Sequence, residues 1–176
     1  MTIYCSKKLE TYLGNVSSDS RSIPTTVFGD FNAHVFRLKI GVCVLVTSNR
    51  TCFSVVTRNL DKEERRNFGD FFRERLIRQL DFELKINERQ EIDFRSELSD
   101  IVICRTNNDR RVMGVMNNFI DSMKYDDAEK LWNDIRVSEL LNNSPVGGTI
   151  PAPRTRFKDF FIPVHAVRDM MDATGF

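Results

Sequence analysis

The sequence predicts an α+β domain in which an antiparallel β-meander is joined by at least one further strand and helices pack mainly on one face. Three observations predict it. Residues 32–58 read as three β-branched and aromatic runs separated by turn residues. Residues 61–84 and 109–125 carry apolar side chains at helical spacing. The length of 176 residues suits one ordinary domain with a real core and is short for two. The expected division is a single domain over residues 1–148 and a C-terminal wrapping arm with a short helix over 149–176.

Thr2, Ile3, Tyr4 and Cys5 form a short strand, and Ser6 stands where it can cap a helix over residues 7–13 that Gly14 stops. Residues 15–30 are polar, rich in Ser and Thr, and contain Pro24, which predicts a surface loop. The meander follows as NAHVFRLKI, GVCVLVTS and TCFSVVTR, with turns at 39–41 and 48–50. Val42 to Val46 is continuously apolar, so this strand should be covered on both faces and lie at the middle of the sheet. Phe53, Val55 and Thr57 alternate with Cys52, Ser54 and Val56.

Asp61 opens the main core helix, in which Phe68, Phe72, Leu76 and Leu80 recur every four residues and Phe71, Ile77 and Leu84 widen the stripe. Its other face interleaves acids and bases from Lys62 to Arg75 at ion-pairing distances, a solvated face. A helix over 88–98, a strand over 100–105 and a helix over 109–125 come next. Residues 126–142 make another helix, with Leu131, Trp132, Ile135 and Leu140 on its buried side, and Pro145, Gly147 and Gly148 end it. Pro151, Pro153 and Pro163 mark the arm, whose short helix is expected near 164–172. With 14 Phe against one Trp and three Tyr, the core should be rich in Phe.

A net charge of +1 from 26 basic and 25 acidic residues provides no overall field toward nucleic acid or an anionic membrane, so any such binding needs a local patch. No apolar run approaches the roughly 18 to 20 residues of a membrane helix, and MTIYCSKKLE lacks the layout of a signal peptide. A soluble cytoplasmic protein without membrane contact is expected. Cys5, Cys43, Cys52 and Cys104 are widely spaced in strand-like segments with no CxxC pair, which predicts buried free thiols. His34 and His165 sit in no HxxxH or HExxH spacing, so no histidine-based metal or triad chemistry, no metal and no cofactor is expected.

Three constellations could carry function. In the helix after Asn108, the residues Arg110, Gly114, Asn117, Asp121 and Lys124 form one polar stripe beside Val112, Val115, Met116, Phe119, Ile120 and Met123. Gly114 lowers helix propensity by about 1 kcal/mol relative to Ala, which predicts a close helix-to-strand contact there. Upstream, Arg105, Thr106, Asn107 and Asn108 end a strand where a helix begins, and Ser6, Lys7 and Lys8 repeat the arrangement. If the two strands lie side by side and parallel, both helix starts would converge with Lys7, Lys8, Arg110 and Arg111 on a spot that favours anions. Thr106 and Asn107 acting only as turn and cap residues is the simpler account. In the arm, Arg154, Arg156 and Lys158 beside Phe157 suit nucleic acid or a partner, or pin the arm to the core. Asp81, Glu83 and Lys85 faintly match the acid and Glu-x-Lys pattern of metal-dependent nucleases, but on a helix.

The strings Ile3-Tyr4-Cys5-Ser6-Lys7-Lys8-Leu9, Thr106-Asn107-Asn108 followed by Arg111-Val112-Met113-Gly114-Val115-Met116-Asn117, and Leu141-Asn142 near Pro145 resemble a bacterial family of uncharacterised domains. Its members begin with Cys-Thr-Lys-Lys-Leu and carry Thr-Asn-Asn-Arg-Ser-Val-x-Gly-x-Met-Asn after a meander. The likeness spans residues 1–145; Ser6 replaces the usual Thr, and Asp109-Arg110-Arg111 is one residue longer than the family string. The resemblance implies an α+β domain of bacterial or phage origin and supplies no mechanism.

Near-neutral charge, two isolated histidines and no nucleophile motif favour a non-enzymatic protein that occupies a partner protein or complex, as an inhibitor or antitoxin does, and the resemblance implies a bacterial, phage or mobile-element origin. The alternative is a nucleic-acid or phosphate-ligand site at Lys7, Lys8, Arg105, Asn107, Asn108, Arg110 and Arg111, with Asn117 on the same helix. A metal-dependent nuclease is the third reading.

Overall fold

Strands β1 (Thr2–Cys5), β2 (Phe31–Leu38), β3 (Gly41–Ser48), β4 (Ser54–Arg58) and β5 (Val102–Arg105) form one mixed sheet in the order β4-β3-β2-β1-β5. This is a computed structural model, and it describes residues 1–14, 16, 26–125, 133–147 and 160–175. The meander β2-β3-β4 is antiparallel throughout, as its turn residues predict. β1 then pairs in parallel with β2 on one side and with β5 on the other. The middle strand is accordingly β2, and β3 lies one place toward the edge. A parallel neighbour needs a crossover, which between β1 and β2 contains α1 (Lys7–Leu13).

Strict alternation along the strands produces two cores. Ile3, Cys5, Phe31, Ala33, Val44, Val46 and Val55 face the first, which is closed by α1, α3 (Phe68–Leu84), α4 (Glu88–Glu97) and α7 (Pro163–Thr174). Cys43, Leu45 and Val56 face the second, under α5 (Arg110–Tyr125) and α6 (Asp134–Asn142). β3 is thus covered on both faces. Phe28, Phe31, Phe53, Phe68, Phe72 and Phe94 are among the largest fully buried side chains, and Phe31 meets Phe72 edge-on at 5.2 Å.

Several elements differ from expectation for local reasons. The helix after Asp61 is two helices: α2 (Lys62–Arg66) buries no residue, and Asn67, with φ −107° and ψ 38°, breaks the chain before α3. Only α3 carries the apolar stripe. In the stretch read as a surface loop, Phe28 is fully buried against Phe94, while residues 15 and 17–25 lie outside the described residues. Cys52 sits in the β3–β4 turn with φ +57°. Residues 126–132, with Leu131 and Trp132, lie outside the described residues. β6 (Val146–Gly147) pairs with β7 (Phe160–Phe161), and α7 buries Val164, Val167, Met170 and Met171 in the first core.

The phase of α6 is set by a polar contact. Leu140, expected inside, is 61% exposed, whereas Val137, Ser138, Leu141 and Asn142 are buried. β4 is an outer strand, so the backbone groups of Ser54 and Val56 point away from β3. Asn142 Oδ1 accepts from Ser54 N at 2.7 Å and Asn142 Nδ2 donates to Ser54 O at 3.0 Å. Ser138 Oγ accepts from Val56 N at 2.9 Å. Four helical residues rise about 6 Å and two strand residues about 6.6 Å, so residues 138 and 142 match 54 and 56 along the edge. α6 thereby satisfies an edge that would otherwise be open to another strand.

α3 supports this edge cover. Glu83 Oε1 accepts from Asn142 Nδ2 at 2.7 Å and from Gln79 Nε2 at 2.6 Å, and Arg75 pairs with Asp134. Glu83 Oε2 is buried with no hydrogen-bond partner among the described residues. Burial pushes the Glu83 carboxyl up to about 7, against the pull of the Asn142 and Gln79 bonds and with Glu139 adding to the rise.

The polar stripe of α5 faces solvent: Arg110, Gly114, Asn117, Asp121 and Lys124 are all exposed. A Cβ at Gly114 would meet no described atom within 4 Å, so the expected close contact with a strand is absent.

Three outcomes follow from this packing. Asn142→Ala strands both backbone groups of Ser54 and should cost about 3 kcal/mol in urea unfolding, with Ser138→Ala costing about 1 to 2 kcal/mol. Between the ordinary carboxyl value of 4.5 and about 7, the folded protein binds the Glu83 proton and the unfolded chain does not, so this group's stabilisation is lost as pH rises through that window. Glu83→Gln should remove that loss and raise the urea midpoint more at pH 8 than at pH 5. Gly114→Ala should stabilise the fold by up to about 1 kcal/mol, since the site is helical and open.

Candidate functional site

Register brings two strand ends level. β1 and β5 run side by side with Thr2 opposite Val102 and Cys5 opposite Arg105. After Cys5 the chain passes through Ser6 into α1 on the first core, and after Arg105 it passes through residues 106–109 to α5 on the second. Adjacent parallel strands whose following helices go to opposite faces leave a crevice at their carboxyl ends, where ligands of open α/β sheets bind. Lys7 and Lys8 are exposed on the first turn of α1, and Arg105 to Asn108 are exposed on the neighbouring rim. Arg105 Nε lies 3.1 Å from Glu10 Oε1, which ties the end of β5 to α1.

The turn after β5 largely satisfies itself. Asn108 N donates to Thr106 Oγ1 and Asp109 N to Asn107 Oδ1, both at 3.1 Å. Asp109 Oδ1 accepts from Arg111 N and Val112 N and so caps α5. Asn108 takes φ +57°, a conformation that Asn tolerates better than most residues. Thr106 and Asn107 are therefore turn residues first, with side chains exposed at the rim.

The two helix starts do not converge. Arg111 donates to Asn49 O in the β3–β4 turn, and Asn49 N donates to Asp30 O at the start of β2. Ser6 N instead donates to Ala33 O, further along β2. Lys7 and Lys8 follow the end of β1, and Arg105, Asn107 and Asn108 stand at and after the level end of β5. Arg110 lies on the exposed side of the first turn of α5, Arg111 lies by the β3–β4 turn, and Asn117 is two turns along the helix. Arg154, Arg156, Phe157 and Lys158 lie outside the described residues.

One contact was not legible in the sequence. His34 Nδ1, on β2, lies 2.8 Å from Ser6 Oγ, and Leu9 N donates to the same oxygen at 3.3 Å. Burial, with the Lys8 ammonium adding to it, holds the His34 imidazole below its ordinary value. Ser6 and His34 are far apart in the chain, and only the parallel pairing of Cys5 with Ala33 places them opposite each other. Knowing that register was the one signal that could have found them.

Among the described residues, the other chemistry-bearing groups do not assemble. The cysteines are buried free thiols, and burial pushes Cys5 up to about 12 and Cys43 and Cys52 up to about 11, far from thiolate formation at neutral pH. Asp81 is exposed beside the α3–α4 groove, Glu83 turns toward α6, and Lys85 lies over the Phe82 ring at 5.2 Å. Residues two apart on a helix diverge by about 200°, so Asp81 and Glu83 share no site. Among the described residues, no group of three His, Cys, Asp or Glu could hold a metal, and no helix is long and apolar enough to cross a membrane.

No curated protein and no solved structure matches the chain. A family model, described as "Domain of unknown function (DUF6933)", matches residues 2–163 and so includes both strand ends, the turn after β5 and α6. Its last matched residue is Pro163, the first of α7. The chain belongs to this family of domains of unknown function.

Proposed function

We propose that this protein binds a phosphate-bearing ligand, with nucleic acid as the leading class, at the carboxyl ends of β1 and β5. The observation that carries the reading is the parallel register of Cys5 with Arg105. In that register the strand before Lys7 and Lys8 ends level with Arg105, and Asn107 and Asn108 follow exposed in the next turn, which supports a shared site at a switch point of the sheet. Two exposed lysines, an arginine and two amides form a donor set suited to phosphate oxygens. With a net charge of only +1, recognition rests on this local patch and not on a global field. Occupation of a partner protein, the reading favoured by composition, rests on no particular surface and takes second place.

Titration of fluorescent single-stranded RNA and DNA at about 50 mM salt, with inorganic phosphate as competitor, tests the reading. Binding should weaken as salt rises. Lys7→Glu with Lys8→Glu should weaken it at least tenfold and lower the salt slope by about 1.4, at roughly 0.7 per lost phosphate contact. Lys124→Glu, on the exposed stripe of α5, should leave it unchanged. No binding at low salt, or binding indifferent to Lys7 and Lys8, overturns the proposal.

A further inference from the structure

Ser6 and His34 have the geometry of a nucleophile and its base. We propose that Ser6 Oγ is a nucleophile activated by His34 and that the pair acts on a phosphoester held at the crevice; this rests on the phosphate-ligand reading above. The 2.8 Å separation of Oγ and Nδ1 is a direct hydrogen bond. The capping bond from Leu9 N uses a lone pair of Oγ and leaves its hydrogen free for Nδ1. Ser6 is half-buried directly after β1, and its backbone is pinned by the 2.9 Å bond to Ala33 O. His34 is held by the β2–β3 ladder opposite Leu45. Burial and Lys8 favour the neutral imidazole, the form that accepts a proton. Lys7 and Lys8, next in the chain, can stabilise charge on the non-bridging phosphoryl oxygens.

As Ser6 Oγ attacks phosphorus, its proton passes to His34 Nδ1. The ester oxygen leaves with the bonding electron pair and takes that proton from the imidazolium. Water then attacks the phosphoserine, gives a proton to His34, and Ser6 Oγ departs and recovers it. Water is the sole co-reactant.

The probe is a fluorophosphonate, which presents an electrophilic phosphorus and releases fluoride. Intact-mass and peptide analysis of the full chain should show one adduct, on Ser6, forming faster as pH rises through the titration of His34. Ser6→Ala should abolish it. His34→Gln, which leaves the cap residue in place and whose fold is checked by its urea midpoint, should slow it roughly a hundredfold. Absence of an adduct on Ser6, or a rate unchanged in a folded His34→Gln variant, overturns the pair. Ligand binding without an adduct removes this inference alone, whereas an adduct without ligand binding removes the phosphate-ligand reading and the substrate class with it.

Discussion

Everything placed at the candidate site depends on the insertion of β1 between β2 and β5. Four residues, hydrogen-bonded in parallel on both sides, turn a three-stranded antiparallel meander into a mixed sheet. Ile3 and Cys5 are fully buried on one face and Thr2 nearly so on the other, so the strand has almost no freedom to slip. A shift of one residue would reverse every side chain and separate Ser6 from His34 and Arg105 from Glu10 together. The site is thus a consequence of register before it is a collection of polar residues.

The opposite end of the sheet is governed by a different constraint, the unsatisfied backbone of β4. Asn142 and Ser138 give that edge the partners a further strand would have given, and Glu83 and Gln79 hold them from α3. A carboxylate in this position is costly when ionised, yet neutral Glu83 still accepts both amide bonds through Oε1. β5, the other edge, is only four residues long, itself a common way of limiting unwanted pairing.

Much of this fold is legible from periodicity alone. The meander follows from β-branched runs and turns, the stripe of α3 from four-residue repeats, and the start and stop of α1 from Ser6 and Gly14, which indeed cap it. What periodicity misses is contact between elements remote in sequence. Hydrophobicity alone points Leu140 of α6 inward, whereas the sheet edge selects polar Ser138 and Asn142. Gly114 suggested close packing and instead faces solvent. His34 carries no motif, and its contact with Ser6 exists only through strand order. At Thr106 to Asn108 the sequence does not separate cap from site: Thr106 and Asn107 satisfy the turn backbone and Asp109 caps α5, while the position at the end of β5 motivates the proposed site.

The central claim is that the ends of β1 and β5 form one binding surface. Amide chemical-shift mapping of the full chain, titrated with a short single-stranded oligonucleotide, addresses it without altering a residue. Saturable shifts confined to Ser6 through Lys8, His34 and Arg105 through Asn108 are expected, with α6 and the exposed stripe of α5 unmoved. Shifts centred on another surface, or none at concentrations well above the protein's, would contradict it.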